Sequence, residues 1–475
     1  MTLKSRLEVV AKKDLSRIHD ASLKILKETG VVFNNDEALE IFKSHGTKVE
    51  GKTVFLGRGV VERALEYCPS KFKWRARSEA HSIVLGEGYD VTPPGGAINI
   101  QDIENGRRPG LLEDYVNLQK LCQASDVITI VGASPVETYD VAPGNRAFCK
   151  LYACLKNTDK PIMGIGASKI KTIQMLDMVE MAFGSKDVMS THYVVGVTIN
   201  PLSPLTYGTE VLETLVEFAK RKQPILILPC ILAGVTGPIN LIGTSVLQNA
   251  EILAGMVLVQ MINPGNPVVY SPASTVGNMR TGGYITGPPE QFLINITNLQ
   301  LARDMYHLPT RVMCGMTDSK EVDCQAGFET MQNLMMGILS GANIIHESLG
   351  VLDSIMTISY EKFIIDEELI QRVFRIADGV NASEQALSVD VIQEVGTGGT
   401  YLTHDSTYER FGNLWKPSVS NWDDYDTWKE NGSESILVRA NKKFKEVLQN
   451  CPESMMDGCL EKELKTYVHT ILEKN

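Results

Sequence analysis

Several residues of this chain sit where reactive groups are expected, at the ends of apolar runs. Asp318 follows RVMCGMT, and His346–Glu347 closes NIIHES. A carboxylate, or an imidazole beside a carboxylate, at the end of a buried strand can orient a cation, hold an anion or move a proton. Polar or small groups end other runs: Ser134 and Glu137, Asn200, Ser271, and Gly315 with Thr317. Loop solvation explains many of these, but Asp318 and the His346–Glu347 pair directly follow strongly apolar stretches and are the candidate catalytic residues. Lys320 could form a Schiff base, but in DSKEVD its acidic neighbours favour a surface ion pair. Three of the four tryptophans, Trp415, Trp422 and Trp428, lie in one Gly-rich loop.

Absent motifs narrow the chemistry. HExxH, HxH, GxSxG and CxxC do not occur, and the eight histidines and nine cysteines do not cluster at metal-ligand spacing. No metal site is expected, and a hydrolytic metal or an acyl-enzyme nucleophile is disfavoured. Cys149 and Cys154 in RAFCKLYACLKN read as packing thiols.

The strand ends matter only if something positions them. Between about residues 97 and 350 an apolar β-rich run alternates with an amphipathic helix eight times, at spacings of roughly 31 to 44 residues. The runs centre near Ile98 (AINI), Ile130, Met163, Val195, Ile227, Val269, Met313 and Ile344. In TEVLETLVEFAKRK, Val211, Leu212, Leu215, Val216 and Ala219 form one stripe. Strands apolar on both faces and alternating with helices imply a covered parallel sheet, and eight units imply closure into a (β/α)8 barrel. A doubly wound open sheet is the other arrangement; it calls for a phosphate-type glycine loop, and neither GxGxxG nor GxxxxGK[ST] is present. SIVLGEGYDV, before the Pro93–Gly96 turn, also reads as a strand and competes with AINI for the first position.

Three regions follow: an N-terminal α/β cap over 1–90, the barrel over 91–375, and a C-terminal extension over 376–475 with the aromatic loop and terminal helices. In the cap, two helices are expected with Asp14 and Asp36 as N-caps and Gly30 and Gly46 just past their ends. Hydrophobic residues make up 43% and charged residues 22%, which suits a sizeable core. The net charge of −11 repels a phosphate backbone, so nucleic acid is not an expected partner. The charged N-terminus and the absence of eighteen uninterrupted apolar residues argue against secretion and membrane spanning. The expected location is cytoplasmic, with reduced thiols.

The stretch GMTDSKEVDCQAGFETMQNLMMGILSGANIIH, with GVLDSIMTISYEKFIIDEE, STVGNMRTGGYITGPPE and VGTGGTYLTHDSTYERF, resembles the trimethylamine methyltransferase family of corrinoid-dependent enzymes, from about residue 10 to the C-terminus. The resemblance implies a (β/α)8 barrel that passes a methyl group from an amine to the cobalt of a separate corrinoid protein, in methylamine-type one-carbon metabolism. Trimethylamine enzymes carry pyrrolysine; here every position is an ordinary residue, as in the branch acting on quaternary amines such as glycine betaine, proline betaine or carnitine. No tightly bound cofactor is then expected, the cob(I)alamin arriving on a partner, and a homo-oligomer is expected. For such a substrate Tyr284, Tyr360, Trp415, Trp422, Asp318 and Glu347 are candidates to face the cation. His346, Arg280 or the backbone of Thr281, Gly282 and Gly283 would face any carboxylate. Other readings are a zinc-dependent corrinoid methyltransferase barrel and a barrel that binds betaines without catalysis.

Overall fold

Seven of the eight apolar runs become barrel strands in the computed structural model, which describes residues 5–132 and 134–473. The strands are β1 (Asp90–Val91), β2 (Val131–Gly132), β3 (Ile162–Met163), β4 (Val195–Ile199), β5 (Ile225–Ile227), β6 (Val268–Tyr270), β7 (Arg311–Met313) and β8 (Ile344–His346). Neighbours pair in parallel from β2 to β6 and from β7 through β8 to β1. A Tyr270–Thr310 bridge joins β6 to β7, and the N–H groups of Thr129 and Ile130 donate to the Val91 carbonyl, closing the ring. The helices between them are α1 (Leu112–Ala124), α2 (Arg146–Asn157), α3 (Lys169–Ala182), α4 (Thr209–Lys220), α5 (Leu241–Ile262), α6 (Pro289–Gln300), α7 (Cys324–Leu339) and α8 (Tyr360–Ala377). Helix α4 buries Leu212, Leu215, Val216 and Ala219, as its stripe requires. Helix α5 is the one helix among the described residues with the length and hydropathy of a membrane span; it is mostly buried, under α6 and the helices Lys12–Glu28 and Arg58–Tyr67.

The first strand departs from the periodic reading. The AINI run gives Asn99–Asp102, which alternates between buried and half-exposed residues, and it joins a side sheet with Gly106–Pro109, Thr357–Ser359 and Val351–Leu352. Asp90–Val91 takes its barrel place. Two consecutive prolines after Thr92 cannot donate to a ladder, so the strand stops there and the chain turns out into the side sheet.

The N-terminal residues are stitched to the barrel. Their sheet runs Lys48–Glu50, Thr53–Phe55, Val31–Phe33, and it gains a fourth strand, Thr206–Tyr207, from the loop after β4. The helix Lys12–Glu28 starts two residues ahead of Asp14, which instead pairs with Arg17 at 2.8 Å in the first turn. In the next helix Asn35, not Asp36, is the N-cap, accepting from the Ala38 N–H at 3.0 Å. Gly30 and Gly46 end the two helices at φ +76° and +74°, the left-handed region that glycine enters without strain.

Candidate active site

Side chains alternate in and out along a barrel strand, so the filling of the barrel can be read from its floor upward. At the floor, the antiparallel hairpin of Phe72–Trp74 and Ile83–Leu85 enters the ring, and Trp74 packs with Ile130, Met163, Leu226, Val269 and Ile344. Gly196 of β4 leaves the room for it: a Cβ there would lie 2.4 Å from the Trp74 ring. The lower end is closed by an apolar plug.

Two inward residues beside and above this plug, one in register with Ile344 and one two residues further along β8, are different. Arg311, at the start of β7, and His346, at the end of β8, both turn inward and meet. Arg311 Nε donates to His346 Nδ1 at 2.7 Å, and Nη2 aims at the same nitrogen. An arginine can only donate, so Nδ1 is an acceptor and the ring is neutral. Burial, reinforced by the guanidinium, holds the imidazole well below its ordinary pKa, against an opposing pull from the Pro93 carbonyl. Glu347 follows, with one carboxylate oxygen 3.8 Å from Arg311 Nη2 and 3.7 Å from His346 Nε2, while the other accepts the Gly95 N–H at 2.9 Å. Burial lifts its carboxyl to about 7, although Arg311 and the Gly95 N–H pull it down. Its φ of +57° is left-handed, and the loop beside it depends on Gly315, where a Cβ would meet the Ser348 Cα at 2.8 Å.

Above this cluster lies a soft apolar layer: Leu228, Ala273, Met313, Met316 and Val351, flanked by Cys230, Tyr284 and Ile355. Tyr284 donates its hydroxyl to the Ala273 carbonyl at 2.7 Å, which fixes the ring. Desolvation lifts the Cys230 thiol to about 11, so it stays protonated.

Asp318 does not face this layer as a free carboxylate. Its oxygens accept from the Thr286 N–H at 3.0 Å, the Gly287 N–H at 2.9 Å, the Thr286 hydroxyl at 3.2 Å and the Ser354 hydroxyl. One side chain thus clasps the loops after β6, β7 and β8. Glu329 of α7 supports it from behind, accepting from the Thr317 hydroxyl at 2.5 Å and the Asp318 N–H at 2.9 Å.

The structure brings His346, Glu347, Gly315, Asp318 and Tyr284 together and gives the other candidates different partners. Tyr360 is buried at the start of α8, donating to Asp114 at 3.0 Å and stacking on Phe444. Trp415 lies under the Arg372 guanidinium, 4.3 Å from its ring centre, and beside Trp422. That arm is pinned by Glu368 of α8: burial pushes its carboxyl up, but the Ser420 hydroxyl and the N–H groups of Val419 and Ser420 outweigh it and hold it at about 2. Arg280 and Gly282 sit exposed at the tip of a turn whose base is the Gly277–Tyr284 bridge, with Gly283 half-buried behind them. Ser134 and Glu137 take the amine of buried Lys150, at 2.8 and 3.3 Å. Asn200 lies 3.9 Å from the Cys230 sulfur, and Ser271 donates to the Val269 carbonyl. Lys320 is exposed, its amine 2.6 Å from the Asp318 carbonyl and 3.6 Å from Asp353. Among the described residues no group of three or more His, Cys, Asp or Glu side chains gathers to hold a metal, and all nine cysteines are free.

Arg311 and the two methionines were not singled out by sequence. Arg311 opens the apolar run RVMC and reads as a strand start; the usable signal was a charge in phase with an inward Met313 on a strand buried on both faces.

A family model described as trimethylamine methyltransferase matches residues 2–473. The glycine betaine methyltransferase of Desulfitobacterium hafniense (strain Y51) is 36% identical over 98% of this chain and 97% of its own. The proline betaine:corrinoid methyltransferase of Eubacterium limosum is 34% identical over 87% of each chain. Among solved structures, the Methanosarcina barkeri monomethylamine methyltransferase (MtmB) superposes with a TM-score of 0.56, covering 94% of this chain and 90% of that one at 10% identity, a likeness of fold.

Proposed function

The chain belongs to the trimethylamine methyltransferase family, and we propose that it moves a methyl group from a quaternary amine to the Co(I) corrinoid of a separate protein. The observation that carries this reading is similarity over 82–98% of the chain to enzymes named for glycine betaine, proline betaine and L-carnitine, at 31–36% identity, above the 28–29% of those named for trimethylamine.

The chemistry suits the site. A quaternary ammonium already carries the charge its leaving group needs. The N–CH3 bond breaks with its electron pair staying on nitrogen, a neutral tertiary amine leaves, and the Co(I) pair forms the Co–CH3 bond. No proton moves and no protein nucleophile is required, which suits a mouth where Cys230 stays a thiol and His346 stays neutral. The protein's task is to bind, align one methyl with the cobalt and exclude water. Tyr284 can offer a ring to the cation, and the Met313 and Met316 thioethers a polarisable wall. The corrinoid is a co-substrate brought by its partner, and no tightly held cofactor is part of the proposal.

The test is incubation with a reduced corrinoid protein and a panel of quaternary amines, following the cobalt spectrum. Methylation from at least one betaine, with trimethylamine slower, is the expected result. Spectral silence with every amine rejects the reading.

The oligomer and the location belong to the same proposal. In the arm between α8 and the helix Ile436–Asn450, the helices Glu384–Leu387, Val389–Val395, Asp405–Arg410 and Tyr425–Glu430 bury no residue. Leu402 and Tyr408 are 83% and 81% exposed, and Val380, Leu414, Trp422 and Tyr425 are exposed as well. At roughly 150–250 Å² per large aromatic, the exposed Tyr408, Trp422 and Tyr425 with the aliphatic residues between them offer several hundred Å² of apolar surface, comparable with the about 800 Å² a side of a standard interface. The occupant we assign is a second copy of this chain. Light scattering of a Leu402→Asp/Tyr408→Asp variant should show a smaller assembly. An unchanged assembly overturns the assignment, and so does loss of methyl transfer without a change of size, which would give the arm to the corrinoid protein. Nine free thiols support a reducing cytoplasm as the location.

A further inference from the structure

Arg311 is fully buried inside the barrel, yet its Nη1 has no hydrogen-bond partner. The other two guanidinium nitrogens share a single acceptor, His346 Nδ1, and the nearest carboxylate oxygen is 3.8 Å away. The guanidinium meets no full counter-charge. His346 is neutral, and Glu347, lifted to about 7 by burial, is only partly ionised near neutrality and spends one oxygen on the Gly95 N–H. A guanidinium in this position carries uncompensated positive charge where the dielectric is low, and such a charge is costly unless an anion joins it. Its planar donor fork matches a carboxylate.

The layer above has the opposite preference. Met313, Met316, Leu228 and the Tyr284 ring suit methyl groups and a diffuse cation, with no ionised group among them. A bare ammonium would be repelled from beneath by Arg311. A molecule with an anion at one end and a trimethylammonium at the other satisfies both layers in one orientation: anion down, methyl groups toward the mouth where a cobalt has to approach.

We propose that Arg311 is the carboxylate-binding residue of the barrel, holding a betaine's carboxylate on Nη1 with one N–CH3 bond facing outward, and so selecting betaines over quaternary amines that lack a carboxylate. The assignment rests on the methyltransferase reading for its direction, not for the subsite itself. Met313 and Met316, unbranched and flexible, are the side chains that swing aside to admit the ligand. Arg311 is a binding residue, and it decides which quaternary amines are accepted.

The experiment separates the two ends of the ligand. Wild-type protein is titrated with glycine betaine, with 3,3-dimethylbutanoate, which keeps the carboxylate and replaces the ammonium by carbon, and with tetramethylammonium, which keeps only the cation. Betaine kinetics are then compared in Arg311→Gln and Arg311→Lys. The subsite predicts that 3,3-dimethylbutanoate competes with betaine and tetramethylammonium does not. It also predicts that Arg311→Gln raises the betaine KM by roughly 10- to 100-fold, the loss of a charged hydrogen bond, while Arg311→Lys recovers part of it. Competition by tetramethylammonium alone, or a folded Arg311→Gln with a wild-type KM for betaine, overturns it. Should Arg311→Gln fail to fold, the wild-type competition decides. Arg311-dependent binding of 3,3-dimethylbutanoate in a protein that demethylates nothing would keep the subsite and discard the methyltransferase reading.

Discussion

At the lower end of the barrel Trp74 fills the ring with Ile130, Met163, Leu226, Val269 and Ile344, and no charged side chain is among them. Beside and above it, Arg311 of β7, in register with Ile344, reaches His346 and Glu347 at the end of β8 in a buried cluster that leaves a guanidinium nitrogen unpaired. Both layers bury an unpartnered nitrogen, but at the floor it is the neutral Trp74 indole N–H among apolar side chains, and in the upper layer it belongs to a charged guanidinium. A buried neutral N–H costs stability alone, whereas a buried charge also calls for an anion, which is the difference the proposed subsite uses.

The largest effect should come from the floor. Trp74→Ala removes a fully buried indole and should cost about 3–5 kcal/mol of stability. Urea midpoints measure it, and kcat per folded molecule should be unchanged; a loss of activity at full stability would break the contrast between the two ends. Gly196→Ala presses a Cβ into the same ring and should cost about 1–3 kcal/mol. Part of that should return in the double variant with Trp74→Phe, whose smaller ring vacates the clash; strict additivity would show that the two do not meet.

Glu347→Gln probes the upper layer through pH. Burial raises this carboxyl from an ordinary 4.5 to about 7, so the folded state binds its proton more tightly than the unfolded one. The stabilisation is complete below the unfolded value and is lost as pH rises through about 7. Relative to wild type, the glutamine variant should therefore gain about 3 kcal/mol between about pH 4.5 and 8. Asp90 and Glu251, also lifted to about 7 by burial, are common to both proteins and cancel in the difference. Stability curves that run parallel would remove Glu347 from the buried cluster. The smallest effect is expected from Asp318→Asn, which sets an amide against the N–H groups of Thr286 and Gly287 and should cost about 1 kcal/mol. Faster hydrogen exchange over 277–287, with a raised KM, is the expected signature; unchanged exchange would dissolve the three-loop clasp.

Much of the barrel was legible because its signals are local. A strand buried on both faces needs a continuous apolar run, and seven runs met that condition. AINI failed it: Asn99 and Gln101 alternate with Ile100 and Asp102, a half-solvated pattern that suits a side-sheet strand. The second N-cap slipped by one because Asn35 and Asp36 can both cap and backbone geometry selects between them, whereas the first helix begins after Ala11 with no side-chain cap at all. At the site, His346, Glu347 and Asp318 were visible as polar ends of apolar strands. What they touch was not visible. His346, expected to meet a carboxylate itself, lends its Nδ1 to Arg311, and Asp318, expected to face a cation, spends its oxygens on backbone.

The sequence by itself determined the repeating strand and helix grammar, the closed parallel barrel and the family, because periodicity and long matching segments survive without coordinates. Only the tertiary structure decided which inward residues share a layer. Arg311 and His346 lie 35 residues apart in sequence, and their meeting depends on the register of β7 against β8 and on the reach of one long side chain. Trp74 and Gly196 depend likewise on a hairpin from outside the repeat entering the floor. Such juxtapositions are set by packing across the barrel, and no local pattern along the chain encodes them.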